Sequence, residues 1–283
     1  MELTPQKVEI STQNIAYYES SGKGQTIFLV HGNSSSGRSY LHQLQAELGE
    51  TYRSIAMDLP GHGISDVAAN PEVTYSLPGY ADAVVEVAKA LDASNAIFVG
   101  WSLGGHILLE ASDRLTAAQG IVIFGTPPIA DNPPDLENAF LPHSALSLGF
   151  TAELSVEEML AYVTTFFRPD MVEIPELFLE DIALTDGRVR ANLGASITPG
   201  GYQDEIEIVG NMKMPLMIIH GEEEQLVNAD YIAELEMPTL WNGEIQFIAD
   251  AGHAPHWETP EKFNSLLIDF ITDVMMGDRL QQN

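Results

Sequence analysis

Gly100-Trp101-Ser102-Leu103-Gly104-Gly105 is the stretch from which the fold follows. Ahead of it lies Ala96-Ile97-Phe98-Val99, a short apolar run of strand type. Behind it lies His106-Ile107-Leu108-Leu109-Glu110-Ala111, a helix-forming run. A Gly-x-Ser-x-Gly pattern alone is weak. Between a strand and a helix it describes a sharp turn that lifts a serine hydroxyl above a sheet. Such a turn strains the backbone at Ser102, and glycine at 100 and 104 removes side chains that would collide with it. The helix that follows would aim its free N–H groups and the positive end of its dipole at the hydroxyl.

Further strands are expected at 26–30, 52–57, 120–124, 215–219 and 244–248. The run 26–30 is continuous rather than alternating, as expected of a strand buried on both faces of a parallel sheet. Residues 8–10 and 15–18 read as an N-terminal hairpin. Helical spacing predicts helices at 40–48, 76–91 and 260–276, the last carrying Phe263, Leu266, Leu267, Phe270, Ile271 and Val274 on one stripe. The tail beyond Gly277 is expected to fray. Between 130 and 210 the rhythm stops, and 153–167, 173–184 and 187–195 have helical spacing instead. The expectation is an α/β core of residues 1–129 and 211–283, with a mostly parallel sheet, helices on both faces and right-handed crossovers. Residues 130–210 form an inserted helical cap. The loops at 31–37, 58–63, 100–105, 125–128, 221–227 and 250–257 all follow strands. They therefore share the rim where such sheets build their sites.

The 283 residues contain 45% hydrophobic side chains, enough for a large core. With no cysteine, neither a disulfide framework nor a thiol nucleophile is available. No run reaches the ~18 apolar residues of a membrane span, and no signal-type segment opens the sequence, so the expected location is cytoplasmic. A net charge of −29, from 41 acidic and 12 basic residues, argues against nucleic-acid and anionic-membrane partners. The acidity is spread along the chain. It fits a solvated surface, or adaptation to high salt, where screening relieves self-repulsion.

A serine hydroxyl needs a general base, and the base needs an orienting carboxylate. Of eight histidines, His253 in Ala251-Gly252-His253-Ala254-Pro255 lies beyond the last strand on the correct rim, with His256 as its rival. His31 and His62 sit in tight glycine turns and are expected to make local backbone contacts. His220 is expected to pack at a strand end, and the direction of His106 is open. For the acid, Glu222, Glu223 and Glu224 follow the 215–219 run. Glu224 is favoured because the chain turns inward at Gln225-Leu226-Val227, and the order Ser, acid, His suits this chemistry. The tetrahedral intermediate requires donors: the Leu103 N–H at the helix start, and the N–H of Asn33, with its side-chain amide as a further candidate. Asn33 could equally stabilise its own turn.

With these residues assembled, the chain resembles the α/β-hydrolase superfamily over nearly its whole length. The resemblance rests on His31-Gly32, Asp58-Leu59-Pro60-Gly61-His62-Gly63, Gly100 to Gly105, and Gly252-His253 with Glu258 beyond. A narrower resemblance is to the metal-independent N-acyl homoserine lactone lactonases. It is carried by residues 31–37, by 100–107, by Gly125-Thr126-Pro127-Pro128, by Thr185-Asp186-Gly187-Arg188, and by Asn242 after Leu240-Trp241. That resemblance implies a triad of Ser102, His253 and Glu224, and an oxyanion hole at Asn33 and Leu103. It also implies substrate contacts at Gly32, Trp101 and Tyr162, with Tyr162 bonding the substrate carbonyl. The partner would be a small acyl lactone, with no cofactor and no metal. The chain departs from the family in the acidic run Glu222-Glu223-Glu224. Phe140, Leu146, Met159, Phe166 and Phe167 are candidate walls of an acyl channel. A general carboxylesterase, an amide-cleaving acylase and a ligand sensor on a hydrolase scaffold are the other readings.

Overall fold

The computed structural model describes residues 4–45, 47–131 and 136–281, with side chains from 278 onward set aside. Eight strands make one sheet: β1 (Gln6–Glu9), β2 (Asn14–Glu19), β3 (Thr26–Val30), β4 (Arg53–Met57), β5 (Ile97–Trp101), β6 (Gly120–Phe124), β7 (Leu216–Gly221) and β8 (Gln246–Ile248). Their order is β1-β2-β4-β3-β5-β6-β7-β8. The hairpin β1–β2 and the β2–β4 pair are antiparallel, and every other pair is parallel. Phe28 lies level with Ile55 and Phe98, and Val30 with Met57 and Gly100.

The continuous apolar runs divide by strand alternation between two cores. Phe28, Val30, Ile55 and Phe98 join Tyr80, Val84 and Val87 of the helix Leu77–Ala90, and Ile107 of the helix Leu103–Ala111. Ile27, Leu29, Ile97 and Val99 join Leu44, Leu48, Phe263, Leu267 and Phe270 on the opposite face.

Two helices differ from expectation. The run 40–48 is a 3-10 turn, Gly37–Tyr40, followed by the short helices Leu41–Gln45 and Glu47–Thr51; position 46 lies outside the described residues. A Cβ on Gly49 would sit 2.1 Å from the Leu44 carbonyl oxygen, so the chain bends closely back on itself there. The closing helix runs from Pro260 to Gln281 without breaking at Gly277. That glycine faces open space, where it costs only its helix propensity, about 1 kcal/mol. Residues 282–283 of the expected frayed tail lie outside the described residues. The last strand is shorter than expected, because the Glu244 N–H closes the turn Trp241–Gly243 instead.

Between β6 and β7 come the helices Leu136–Ala139, Val156–Thr164, Glu176–Leu184, Gly187–Ser196 and Glu205–Asn211, and the 3-10 turn Leu146–Phe150. Ser155 and Glu158 form a reciprocal cap at the start of Val156–Thr164. Polar clips tie these residues to the segments that follow β3 and β4. Ser36 Oγ donates to Asp181 at 2.7 Å, Tyr75 Oη donates to Asp186 at 2.9 Å, and the Asp186 N–H donates to the Gly61 carbonyl. Among the described residues no helix is long and apolar enough to cross a membrane.

Close backbone contact at the end of β5 fixes the geometry that matters. A Cβ on Gly104 would lie 2.1 Å from the Val30 carbonyl oxygen, and one on Gly100 would lie 2.6 Å from the Gly104 carbonyl. Neither backbone can yield. Gly104→Ala is therefore expected to cost about 3 kcal/mol in urea unfolding, and an unchanged midpoint would contradict this packing.

Candidate active site

Ser102 sits between β5 and the helix Leu103–Ala111 with φ 53° and ψ −117°, a left-handed conformation that a side chain tolerates at a cost of about 1–3 kcal/mol. The turn is held from β6 and the loop beyond it. The Ser102 N–H donates to the Phe124 carbonyl at 2.8 Å, and Thr126 Oγ1 donates to the Ser102 carbonyl at 2.8 Å. Among the described residues the Ser102 hydroxyl has no hydrogen-bond partner, and it opens into a cavity.

His253 lines the same cavity and is almost fully buried. Its Nδ1–H donates to Glu224 Oε2 at 2.7 Å, which leaves Nε2 as the basic nitrogen. The second Glu224 oxygen accepts the Leu226 N–H at 2.8 Å. Burial pushes the Glu224 carboxyl up. The neighbouring His253, its hydrogen bond and the Leu226 N–H outweigh that and hold it below the usual carboxylate range. Glu222 and Glu223 are exposed, while their N–H groups tie the loop to Ile248 and Ala251.

Three residues steady the imidazole. Trp101 Nε1–H donates to the His253 carbonyl at 2.8 Å. Glu258 accepts the N–H groups of Gly252 (2.7 Å) and Arg168 (2.8 Å), joining the histidine loop to the insertion. Gly125, at φ 60°, leaves the space the ring occupies: a Cβ there would lie 2.7 Å from His253 Cε1. The contacts of Trp101, Gly125 and Arg168 do not follow from spacing, because each joins residues far apart in the chain.

The other histidines do different work. His256 is buried among Tyr40, Trp101, Phe124 and Phe263, and neither ring nitrogen has a partner among the described residues. Burial pulls its pKa well below the ordinary value, so it stays neutral. His31 Nδ1–H donates to the Gly32 carbonyl and Nε2 accepts the Leu59 N–H, and burial lowers its pKa to about 4. It braces the loop that carries Gly32 and Asn33. His62 reaches the Pro60 carbonyl, and His220 packs edge-on against Phe247. His106 pairs with Glu205.

Asn33 and Leu103 both line the cavity beside Ser102. Among the described residues nothing accepts the backbone N–H of either. The Asn33 side chain is already engaged: Nδ2 donates to the Gly149 carbonyl at 2.7 Å, and Oδ1 accepts from Ser34 Oγ. The amide considered as a further oxyanion donor thus anchors the turn Leu146–Phe150. Arg190 reinforces the same junction, donating to Ser34 Oγ and to the Thr151 and Ala152 carbonyls.

The cavity measures about 1310 Å³ and is mainly apolar. Phe140, Leu146 and Phe166 line it as expected. Met159 and Phe167 do not: Met159 borders a separate small pocket, and Phe167 packs edge-on against Phe178 in the core. Gly32 lies at the cavity wall, where a Cβ would press on the Trp101 ring at 3.2 Å and on Ser102 Cβ at 3.3 Å. Trp101 lines the wall with its N–H committed to the His253 loop. Tyr162 also lines it; burial raises its pKa, and its hydroxyl has no partner among the described residues. Among the described residues no group of three or more His, Asp or Glu is placed to hold a metal ion.

Residues 27–266 match the alpha/beta hydrolase family. The chain is 26% identical to the pimeloyl-[acyl-carrier protein] methyl ester esterase of Vibrio cholerae, over 90% of its own length and 98% of that protein's. Structures of variants of the N-acyl homoserine lactonase AidH superpose with a TM-score of 0.92 at 34% identity. One is complexed with N-hexanoyl homoserine lactone and covers 97% of this chain and 99% of that one. The other is complexed with N-hexanoyl homoserine and covers 96% and 98%.

Proposed function

The chain belongs to the alpha/beta hydrolase family and is a hydrolase of ester or lactone bonds, and from that premise we propose that it opens the ring of N-acyl homoserine lactones through an acyl-enzyme on Ser102. One observation carries the choice of substrate. The likeness to N-acyl homoserine lactonase AidH spans 96% of the chain, and so includes the insertion that walls the cavity.

In this mechanism His253 Nε2 takes the Ser102 proton as Oγ attacks the lactone carbonyl. Glu224 holds the ring and stabilises the imidazolium. The N–H groups of Asn33 and Leu103 receive the oxyanion, a contact whose loss typically costs about 10²–10³-fold in turnover. Collapse breaks the ring C–O bond, and His253 returns the proton to the leaving alkoxide, which stays attached as the homoserine hydroxyl. Water, deprotonated by His253, then attacks the Ser102 ester and releases N-acyl homoserine. Tyr162 donates its free hydroxyl to the substrate amide carbonyl, and Trp101 and Gly32 shape the lactone end. Residues 130–210 act as the cap, with the acyl tail along Phe140, Leu146 and Phe166.

The likeness to a methyl ester esterase favours simple esters as the second reading. Mass spectrometry of the products from a panel of acyl homoserine lactones separates the cases. Ring opening adds one water and gives a single product. Deacylation gives free homoserine lactone and a fatty acid and would overturn the proposal. Faster turnover of p-nitrophenyl esters than of every lactone would favour the esterase.

A further inference from the structure

His106 is a polar residue at the cavity wall that this mechanism leaves unused. It lies one helical turn beyond Ser102, its N–H reaching back to the Ser102 carbonyl at 3.4 Å. One helical turn rises about 5.4 Å along the axis, and both side chains line the same cavity. Its Nδ1–H donates to both oxygens of Glu205 at 2.9 Å. Glu205 comes from the insertion and is itself completely buried. The Glu205 carboxylate also accepts the Ile129 N–H, and the Glu205 N–H donates to the Ile129 carbonyl, so its position is fixed at both ends. A buried carboxylate that anchors one ring nitrogen sets the orientation of the other. Nε2 has no partner among the described residues, and the ring lines the cavity beside apolar Ile129, Leu193 and Ile197.

An unpaired polar atom on an apolar wall lowers the affinity of a tail that leaves it unpaired and raises that of a tail that bonds it. Five bonds separate the lactone carbonyl carbon of an acyl homoserine lactone from the third carbon of its acyl chain, roughly 6 Å when extended. That span is comparable to the one-turn offset between Ser102 and His106 along the chain. We propose that His106, held by Glu205, selects acyl chains that carry a hydroxyl at the third carbon over those that carry a ketone or a methylene there. A hydroxyl can donate its proton to the lone pair of Nε2. A ketone is an acceptor only and a methylene is neither, so neither bonds an Nε2 whose ring proton sits on Nδ1 facing Glu205. The inference rests on the lactonase reading and names the substrate class within it.

The test is kcat/KM on three lactones of equal chain length, bearing a methylene, a ketone or a hydroxyl at that carbon. The wild type is expected to favour the hydroxyl over the methylene by about three- to ten-fold, the worth of one hydrogen bond. His106→Leu should bring that ratio to about one. The double variant His106→Leu/Glu205→Gln, which removes the carboxylate left without its partner, should do the same. Each value is a ratio within one preparation, so partial misfolding lowers all three rates and leaves it intact. A wild type that opens all three lactones equally well overturns this inference and leaves the lactonase reading standing, as does a preference that survives in both variants. A wild type that opens none overturns both.

Discussion

Ser102→Ala will lower kcat by about 10⁶-fold, the loss seen when a serine nucleophile is removed from a working triad. The substitution removes one oxygen that has no hydrogen-bond partner among the described residues, so melting should move little. Ser102→Gly separates chemistry from folding more sharply. At φ 53° and ψ −117° the residue stands where glycine is at ease and serine is strained. Ser102→Gly is therefore expected to lose turnover equally and to gain about 1 kcal/mol of stability, the lower end of what such strain stores. The measurements are kcat on a lactone and the urea midpoint. Residual turnover at the wild-type rate would remove Ser102 from the mechanism; a large loss of stability in the glycine variant would contradict the strained turn.

Glu224→Gln should lower kcat by about 10⁴-fold while the fold persists. The amide is close in shape to the carboxylate but presents an N–H towards His253 Nδ1. That inverts the tautomer and places the proton on Nε2, where the base is needed. The same substitution has a readout in stability. The folded-state pKa of Glu224 lies below its ordinary value, because His253 and the Leu226 N–H outweigh burial. The ionised carboxylate thus contributes stability that is present above the unfolded value of about 4.3 and is lost as pH falls through the lower folded value. In Glu224→Gln this contribution is absent, so the melting temperature should fall less steeply on acidification. An equally steep acid limb in both proteins would contradict the pairing, as would a decrease in kcat of less than ten-fold.

The middle of the sheet is legible because its central strands are buried on both faces, which writes them as nearly unbroken apolar runs such as Thr26–Val30 and Gly120–Phe124. Loops that follow such strands fall on one rim, and so Ser102, Glu224 and His253 could be gathered without coordinates. What spacing does not carry is how distant residues share their hydrogen bonds. The Asn33 side chain reaches Gly149, Trp101 reaches the His253 carbonyl, and Glu258 joins Gly252 to Arg168. Stretches singled out by resemblance divide in the same way. Asp186 and Arg188 pair with each other while Asp186 also receives Tyr75, and Asn242 takes a left-handed turn at φ 57°; these contacts fasten the chain at a distance from Ser102. Met159 and Phe167 have the apolar character of channel walls, but burial in a cap core looks the same in sequence.

Reaction with an alkyl fluorophosphonate, followed by peptide mapping and a lactone assay on the same sample, tests the nucleophile most directly. The reagent mimics the tetrahedral intermediate and bonds to an activated serine. The expected result is one equivalent attached to the peptide that carries Ser102, with activity falling in proportion. Full lactone turnover by completely labelled protein, or a label on any other residue, would contradict the account.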